Sequence, residues 1–471
     1  MKWSQTRFLP VSYLALLTLL VVVGCSNKQE PSETMDQCGN HTCGQLAMVT
    51  TDTASDGFHY LNPTVSPDGT RILFSADWLA IPPSPRFDED ARWTVFRQII
   101  VMPIPDLTID RDPETDLPSQ GAMLVRMAGT ATIRIGGQIF TLNNMESELR
   151  KGEPVWLDDD RIVFWCQTPR GNRLFRANNL TNICPEPECK SFPTVIYMEP
   201  EDLSPSGGIF QHMSPALSPD RNWLAYTRSG CVIPDSFETC TQLSLNVIDM
   251  RTAGINNGYG AVSFPVTSEV SRLEKPRWSP DGTQLIFAAG VDMAGETGAG
   301  TEIFTIDFDT TGLAADTMVL DNNLDRLTHT AYTEGDPISG VFNTSPAFTP
   351  DGEEVIFVST RRAPSITLHD RNLWRMPANG NLEPEIYYFT RSDDVDPEVQ
   401  ADGSILFSSQ LGFPTEMLNR LEEEAYLRLV IENEELESPL SEVQMRSLAA
   451  DERRLLEYFQ GVMSHLYFFR P

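Results

Sequence analysis

One phrase recurs six times along the chain: a proline-led extended run, a turn centred on aspartate, then an apolar run closing on an aromatic residue. The copies are Pro63–Phe74 (PTVSPDGTRILF), Pro154–Phe164 (PVWLDDDRIVF), Pro215–Tyr226 (PALSPDRNWLAY), Pro276–Phe287 (PRWSPDGTQLIF), Pro346–Phe357 (PAFTPDGEEVIF) and Pro397–Phe407 (PEVQADGSILF). The closing aromatics stand 90, 62, 61, 70 and 50 residues apart. Such spacing marks a repeat architecture, whose units bury their apolar faces only by stacking on one another.

Each copy reads as two strands around an Asp-Gly or Asp-Asp turn, a strong hairpin signal. A third β run follows in most units, at Gln98–Ile104, Arg173–Ala177, Leu243–Asp249, Glu302–Asp307 and Asn372–Met376. A fourth is expected at Met123–Met127, Thr194–Met198, Ala261–Val266, Asp325–Thr328 and Glu385–Thr390. Four strands per unit, repeated radially, make a β-propeller, and six phrases predict six blades of an all-β fold. The 90-residue first interval exceeds one blade and falls short of two. Ala131–Asn143 (ATIRIGGQIFTLN) reads as an extra hairpin there, with a degenerate seventh blade as the alternative.

The Ser-Pro-Asp-Gly phrase before an aliphatic and aromatic strand resembles the WD-repeat-like propellers of the TolB type, over residues 45–410. Ser66–Gly69, Ser279–Gly282 and Thr349–Gly352 are near-complete copies, whereas Leu157–Asp160, Ser218–Arg221 and Gln400–Gly403 depart from the pattern. The resemblance implies the fold and no particular function. The TolB family carries an N-terminal α/β domain that docks partners. Here only a short tether precedes the repeats, so those partners are not carried over.

Residues 1–24 read as an export signal, with Lys2 and Arg7 ahead of an apolar stretch from Phe8 to Val23. The junction Val22-Val23-Gly24-Cys25 resembles the bacterial lipobox, which implies cleavage before Cys25 and acylation of that residue, anchoring the chain to a membrane. Ser26, where inner-membrane retention would call for Asp, points to the outer membrane, on its periplasmic or surface side. Residues 25–44 are polar and read as a flexible tether. The chain carries 66 acidic against 35 basic residues. That surplus opposes binding to nucleic acid and favours solubility.

Seven cysteines follow Cys25. Cys38 with Cys43, Cys184 with Cys189 and Cys231 with Cys240 are close enough for local disulfides in an oxidising compartment, and Cys166 reads as a buried thiol. The alternative, a metal site using His41 between Cys38 and Cys43, lacks zinc-ribbon spacing.

Beyond Gln410 the pattern turns helical, over Thr415–Ile431 and Ser438–Leu466, forming a C-terminal extension (411–471) expected to pack on the propeller. Met445, Leu448, Leu455, Phe459, Val462, Met463 and Leu466 form its apolar stripe. Ser441 and Gln444 have the spacing of a capping box. An alternative returns His465–Phe469 (HLYFF) as a strand of the last blade, with Leu46–Thr51 closing the ring.

The Asp-Gly turns are expected to be hairpin punctuation, because Asp satisfies its own turn and Gly accepts positive φ. The chain contains no Gly-x-Ser-x-Gly elbow and no phosphate-cradling Gly-rich loop with lysine. No cofactor is implied, and the expectation is a protein without catalytic activity. Oligogalacturonate lyases resemble this fold and place histidines around the channel, so a metal-dependent lyase acting on acidic oligosaccharides is the alternative. Its candidate ligands here are His212, His329 and His369.

Propellers engage ligands at the channel mouth. The residue before each phrase proline is topologically equivalent, and all six are polar: Asn62, Glu153, Ser214, Lys275, Ser345 and Asp396. With Gln211 and Glu274, they are the candidate site for a protein, peptide or glycan of the cell envelope. Otherwise they merely solvate the funnel.

Overall fold

In the computed structural model the described residues are 45–49, 59–80, 94–104, 123–127, 130–135, 138–143, 150–168, 171–178, 194–204, 210–230, 243–251, 263–267, 272–291, 300–308, 324–329, 341–361, 371–388, 393–410, 422–423, 426–427, 429–430, 439–459 and 465–470. Cys25, the expected export signal and tether, the six cysteines of the expected disulfides and His369 lie outside them. Cys166 is a buried thiol.

Every phrase becomes the two inner strands of a four-stranded antiparallel blade. Blade 1 holds His59–Val65, Arg71–Ala80, Thr94–Pro103 and Met123–Met127. Blade 2 holds Lys151–Asp158, Arg161–Thr168, Gly171–Asn178 and Thr194–Asp202. The outermost strands of these two blades pair in parallel, Thr194 opposite Met123, joining them into one eight-stranded sheet. Blades 3, 4 and 5 begin at Phe210–Leu217, Glu274–Trp278 and Asn343–Phe348 and end at Ser263–Pro265, Leu324–Arg326 and Glu385–Tyr388. Between blades 1 and 2, Thr130–Ile135 and Gln138–Asn143 pair as a separate two-stranded sheet, which is the extra hairpin.

Blade 6 is built from both ends of the chain. Asp394–Val399 and Ile405–Ser409 come from the sixth phrase, His465–Arg470 is the third strand, and Gln45–Met48 is the fourth. The expectation of a helical extension running to the C-terminus is therefore corrected: its last residues belong to the propeller. An unpaired sheet edge is a liability, and a strand from each terminus completes the blade that would otherwise stay half built.

Both faces of each blade are apolar, so successive blades pack face to face. One shared core joins Trp223, Leu245 and Val247 of blade 3 to Leu285, Phe287 and Phe304 of blade 4. Equivalent clusters join blades 2 and 3, 4 and 5, 5 and 6, and 6 and 1. The closing aromatics Phe74, Phe164, Tyr226, Phe287, Phe357 and Phe407 are all buried. Each such burial contributes at most about 2–3 kcal/mol.

The turn aspartates are satisfied locally. Oδ1 of Asp281 accepts hydrogen bonds from Ser279 Oγ and from the N–H and hydroxyl of Thr283. Asp68 makes the same set, and bonding by Ser66 and Thr70 lowers its pKa to about 2. Each of these carboxylates is occupied by its own hairpin.

Helix α1, Glu442–Phe459, opens with the expected capping box: Gln444 N–H donates to Ser441 Oγ, and Ser441 N–H donates to Gln444 Oε1. Met445 and Ala449 are buried, whereas Leu448 is exposed and Leu466 sits in a strand, so the expected stripe is only partly an apolar face. The helix expected over Thr415–Ile431 falls mostly outside the described residues. Those described, 422–423, 426–427 and 429–430, are helical. Among the described residues, no helix is long and apolar enough to cross a membrane.

Candidate functional site at the channel

The six residues before the phrase prolines share one unusual backbone state. Asn62, Glu153, Ser214, Lys275, Ser345 and Asp396 all have φ between 49° and 54°. This left-handed region is uncommon for residues with side chains, and a following proline normally pushes its predecessor towards extended conformations. Sheet register explains the exception. In blade 1, Leu61 pairs with Ser75 and Thr64 with Leu73, so Asn62 and Pro63 together oppose Phe74. In blade 4, Lys275 and Pro276 oppose Phe287 in the same way. The other four phrases repeat the shift, each opposite its closing aromatic. A β-bulge places two residues opposite one and bends the strand, and proline suits its second position because it has no N–H to leave unpaired.

The bulges bring the six residues together around the channel, where they satisfy one another. Lys275 reaches across to blade 1, where Nζ donates to Asn62 Oδ1. It also lies 3.2 Å from Glu153 Oε1 of blade 2 and 3.2 Å from Asp396 Oδ1 of blade 6. Asp396 Oδ2 accepts the Asn62 backbone N–H at 3.1 Å, and its Oδ1 accepts the Ser345 hydroxyl at 3.2 Å. Glu153 Oε2 accepts the Ser214 N–H at 2.6 Å, while the N–H of Glu153 donates to Ser75 Oγ. Burial opposes charge on both carboxyls, yet Lys275, together with the N–H groups of Ser214 and Asn62, outweighs it and holds both below their ordinary pKa. Burial likewise opposes charge on Lys275, and the two carboxylates raise its pKa despite it.

Gln211 and Glu274 do not join this ring. Gln211 Oε1 accepts the N–H of Asn172 in blade 2, and Glu274 Oε1 accepts the hydroxyl of Thr344 in blade 5. His212, on the innermost strand of blade 3, is buried between Phe210 and Tyr226, and neither ring nitrogen makes a hydrogen bond. Burial, with the charges of Arg173 and Arg228, lowers its pKa to about 3. His329 is exposed, just past the outermost strand of blade 4. Among the described residues, no three His, Cys, Asp or Glu side chains are grouped as metal ligands would be.

Beyond the ring, towards the Asp-centred turns, the channel opens into a cavity of about 210 Å³. Asn62, Glu153, Ser214 and Lys275 bound it on the ring side, and Val155, Trp156, Leu217 and Trp278 are among its apolar walls. Its further polar groups are Thr64, Arg221, Arg277 and Glu398. Trp156 and Trp278 are fixed by indole hydrogen bonds to carbonyls of the preceding blades, at Thr64 and Ala216. Glu398 accepts the Thr64 hydroxyl at 3.3 Å, and burial raises its pKa despite Arg277 and Arg221 nearby.

Thr64, Arg277 and Glu398 occupy the position just after the phrase proline, filled elsewhere by Val155, Ala216 and Ala347. Sequence reading missed this second variable position because half of the copies are apolar there. Arg221 departs from the phrase differently. It stands where other copies have Gly69, Gly282, Gly352 and Gly403, keeps their turn with φ 62°, and sends its guanidinium to the carbonyl of Trp156 at 2.7 Å.

No family model matches the chain, and no curated protein matches it. Solved structures similar to it include TolB proteins and the β-propeller domain of a protease from Pyrococcus furiosus. One is TolB from Acinetobacter baumannii, 16% identical, with a TM-score of 0.38, covering 72% of this chain and 58% of that one. The chain thus spans little more than half the length of that relative. TolB from Agrobacterium tumefaciens is 15% identical, with a TM-score of 0.36, over 70% of this chain and 80% of that one. An oligogalacturonate lyase in complex with manganese is 15% identical, with a TM-score of 0.39, over 78% and 74%.

Proposed function

We propose that this protein is a non-catalytic binding module of the bacterial cell envelope, held to a membrane by a lipid on Cys25. Its propeller engages an envelope protein, peptide or glycan through the channel. The observation that carries this reading is the cavity over the ring, a concave space with apolar walls and a few polar groups, the usual composition of a binding site. The ring forms the floor: its polar atoms are committed to one another, so ligand contact falls to Thr64, Arg221, Arg277 and Glu398. The lyase alternative requires histidines converging on the channel, and His212 and His329 stand at the inner and outer ends of neighbouring blades.

A photo-crosslinking residue at Thr64, used in intact cells, tests the reading against the same residue at Asp325 on an outer strand. Capture of a defined envelope component from position 64 alone is expected. Equal capture from both positions, or none from either, would place the partner elsewhere. Loss of metabolic lipid labelling in Cys25→Ala is the matching expectation for the anchor.

A further inference from the structure

Several arginines of the described structure are held by carboxylates or lie over aromatic rings. Arg161, Arg173, Arg251, Arg326, Arg371 and Arg375 each pair with a carboxylate. Arg71, Arg228 and Arg272 instead lie over the rings of Trp156, Phe210 and Phe342. Arg221 and Arg277 have neither kind of partner among the described residues, although the Glu398 carboxyl is near enough to both to feel their charge. Of the five donors on each guanidinium, Arg221 uses one on the carbonyl of Trp156, and Arg277 uses one on the carbonyl of Pro276 at 3.3 Å. Carboxylates are not scarce in a chain with 66 of them, so two such arginines beside one cavity are not explained by supply.

Arg221 adds an independent sign. Its backbone holds the glycine conformation of the repeat, at φ 62°, where a side chain is unfavourable. A strained residue persists where its surroundings impose it, and such residues cluster at ligand clamps. Here the strained position places a guanidinium at the cavity.

We infer that the cavity takes the C-terminal carboxylate of a peptide chain ending in an apolar residue, gripped by Arg221 and Arg277. This deepens, and rests on, the channel-binding reading above. Three features select this occupant. Guanidinium matches carboxylate geometry with paired hydrogen bonds. Trp156, Trp278 and Leu217 offer an apolar wall for the last side chain. Glu398, whose carboxyl among the described residues accepts only the Thr64 hydroxyl, keeps acceptor capacity for the last backbone N–H. A volume of about 210 Å³ lies below the range of about 300–1,000 Å³ typical of small-molecule pockets, which suits a terminal residue rather than a long segment. A sugar acid presents hydroxyls on every side, and the apolar walls would leave many of them unpaired.

Calorimetric titration of the full chain with N-acetyl-Ala-Ala-Leu as the free acid, its C-terminal amide and galacturonic acid tests the inference. The free acid is expected to bind at least about ten-fold more tightly than the amide, equivalent to about 1.4 kcal/mol, with no binding of the sugar acid. Arg277→Gln should weaken the acid by a similar factor and leave the amide unchanged. Arg221→Gly should also weaken the acid while its melting temperature rises, which separates lost binding from lost folding. Equal affinity for acid and amide overturns the inference. So does wild-type affinity for the acid in both variants, or tighter binding of galacturonic acid than of the peptide. If no probe binds yet position 64 still captures an envelope component, only the carboxylate assignment falls; if capture also fails, the channel reading falls with it.

Discussion

Two polar layers lie along the same channel, and they differ in what their atoms already hold. In the ring, Lys275, Glu153, Asp396 and Asn62 use one another as partners. In the cavity, Arg221 and Arg277 each hold one carbonyl and face open space. A repeated polar position is thus no sign of a ligand by itself. The informative quantity is the hydrogen-bonding capacity left over once the protein's own partners have been counted.

The sharpest way to break the comparison is to remove the hub of the ring. Lys275→Met leaves two buried carboxylates without their cation, a change that costs about 3–5 kcal/mol. Urea unfolding should show that loss, and combining the change with Glu153→Gln and Asp396→Asn should recover most of it. A loss below about 1 kcal/mol would mean that the ring behaves like an exposed ion pair.

The pH dependence gives the next effect. Glu153 and Asp396 have lowered pKa values, so their contribution is present above their ordinary 4.5 and 3.8 and is lost as pH falls through the folded values. Lys275 has a raised pKa, so its contribution is present below 10.5 and is lost as pH rises through the folded value. Melting temperature against pH should therefore hold a plateau between about 5 and 10 and fall on both sides. The triple variant should flatten both edges. Edges of unchanged steepness would assign the titration to other groups.

Glycine substitution separates the layers by sign. Arg221→Gly relieves the left-handed backbone for the loss of one part-buried hydrogen bond and should stabilise by about 0.5–1 kcal/mol. Asn62→Gly relieves the same conformation yet removes an acceptor from Lys275, so it should destabilise. Thermal melts in which both variants move the same way would contradict the distinction.

The smallest expected effect is at Glu398, whose pKa burial raises. A raised carboxyl weakens the fold as pH climbs above its ordinary 4.5, so Glu398→Gln should gain stability at pH 7 and nothing at pH 4. A gain of equal size at both values would point to packing instead.

Much of the fold was legible in the chain. The strands lie where alternation and Asp-Gly turns put them, the first interval holds a hairpin, and HLYFF returns to complete blade 6. The ring was legible too, because six equivalent positions preceding six prolines must converge when blades are arranged radially. Its chemistry was not. That Lys275 stands across from Asn62, within reach of Glu153 and Asp396, depends on contacts between residues up to 334 positions apart. The extension beyond Gln410 was read as helical to its end because Leu466 continues a helical interval from Met463 and Val462. The unfilled third strand of blade 6 is what claims it.

Local chemistry by itself determined the hairpins and their aspartate turns, since each follows from residues within a few positions of one another. Tertiary structure alone decided which polar groups are spent and which are spare. Ring closure sets distances across the channel, and the bulge before each proline turns side chains towards a shared axis. The six-fold phrase encodes the scaffold in the residues that repeat. The charge balance at its centre arises where the copies differ, and no single copy contains it.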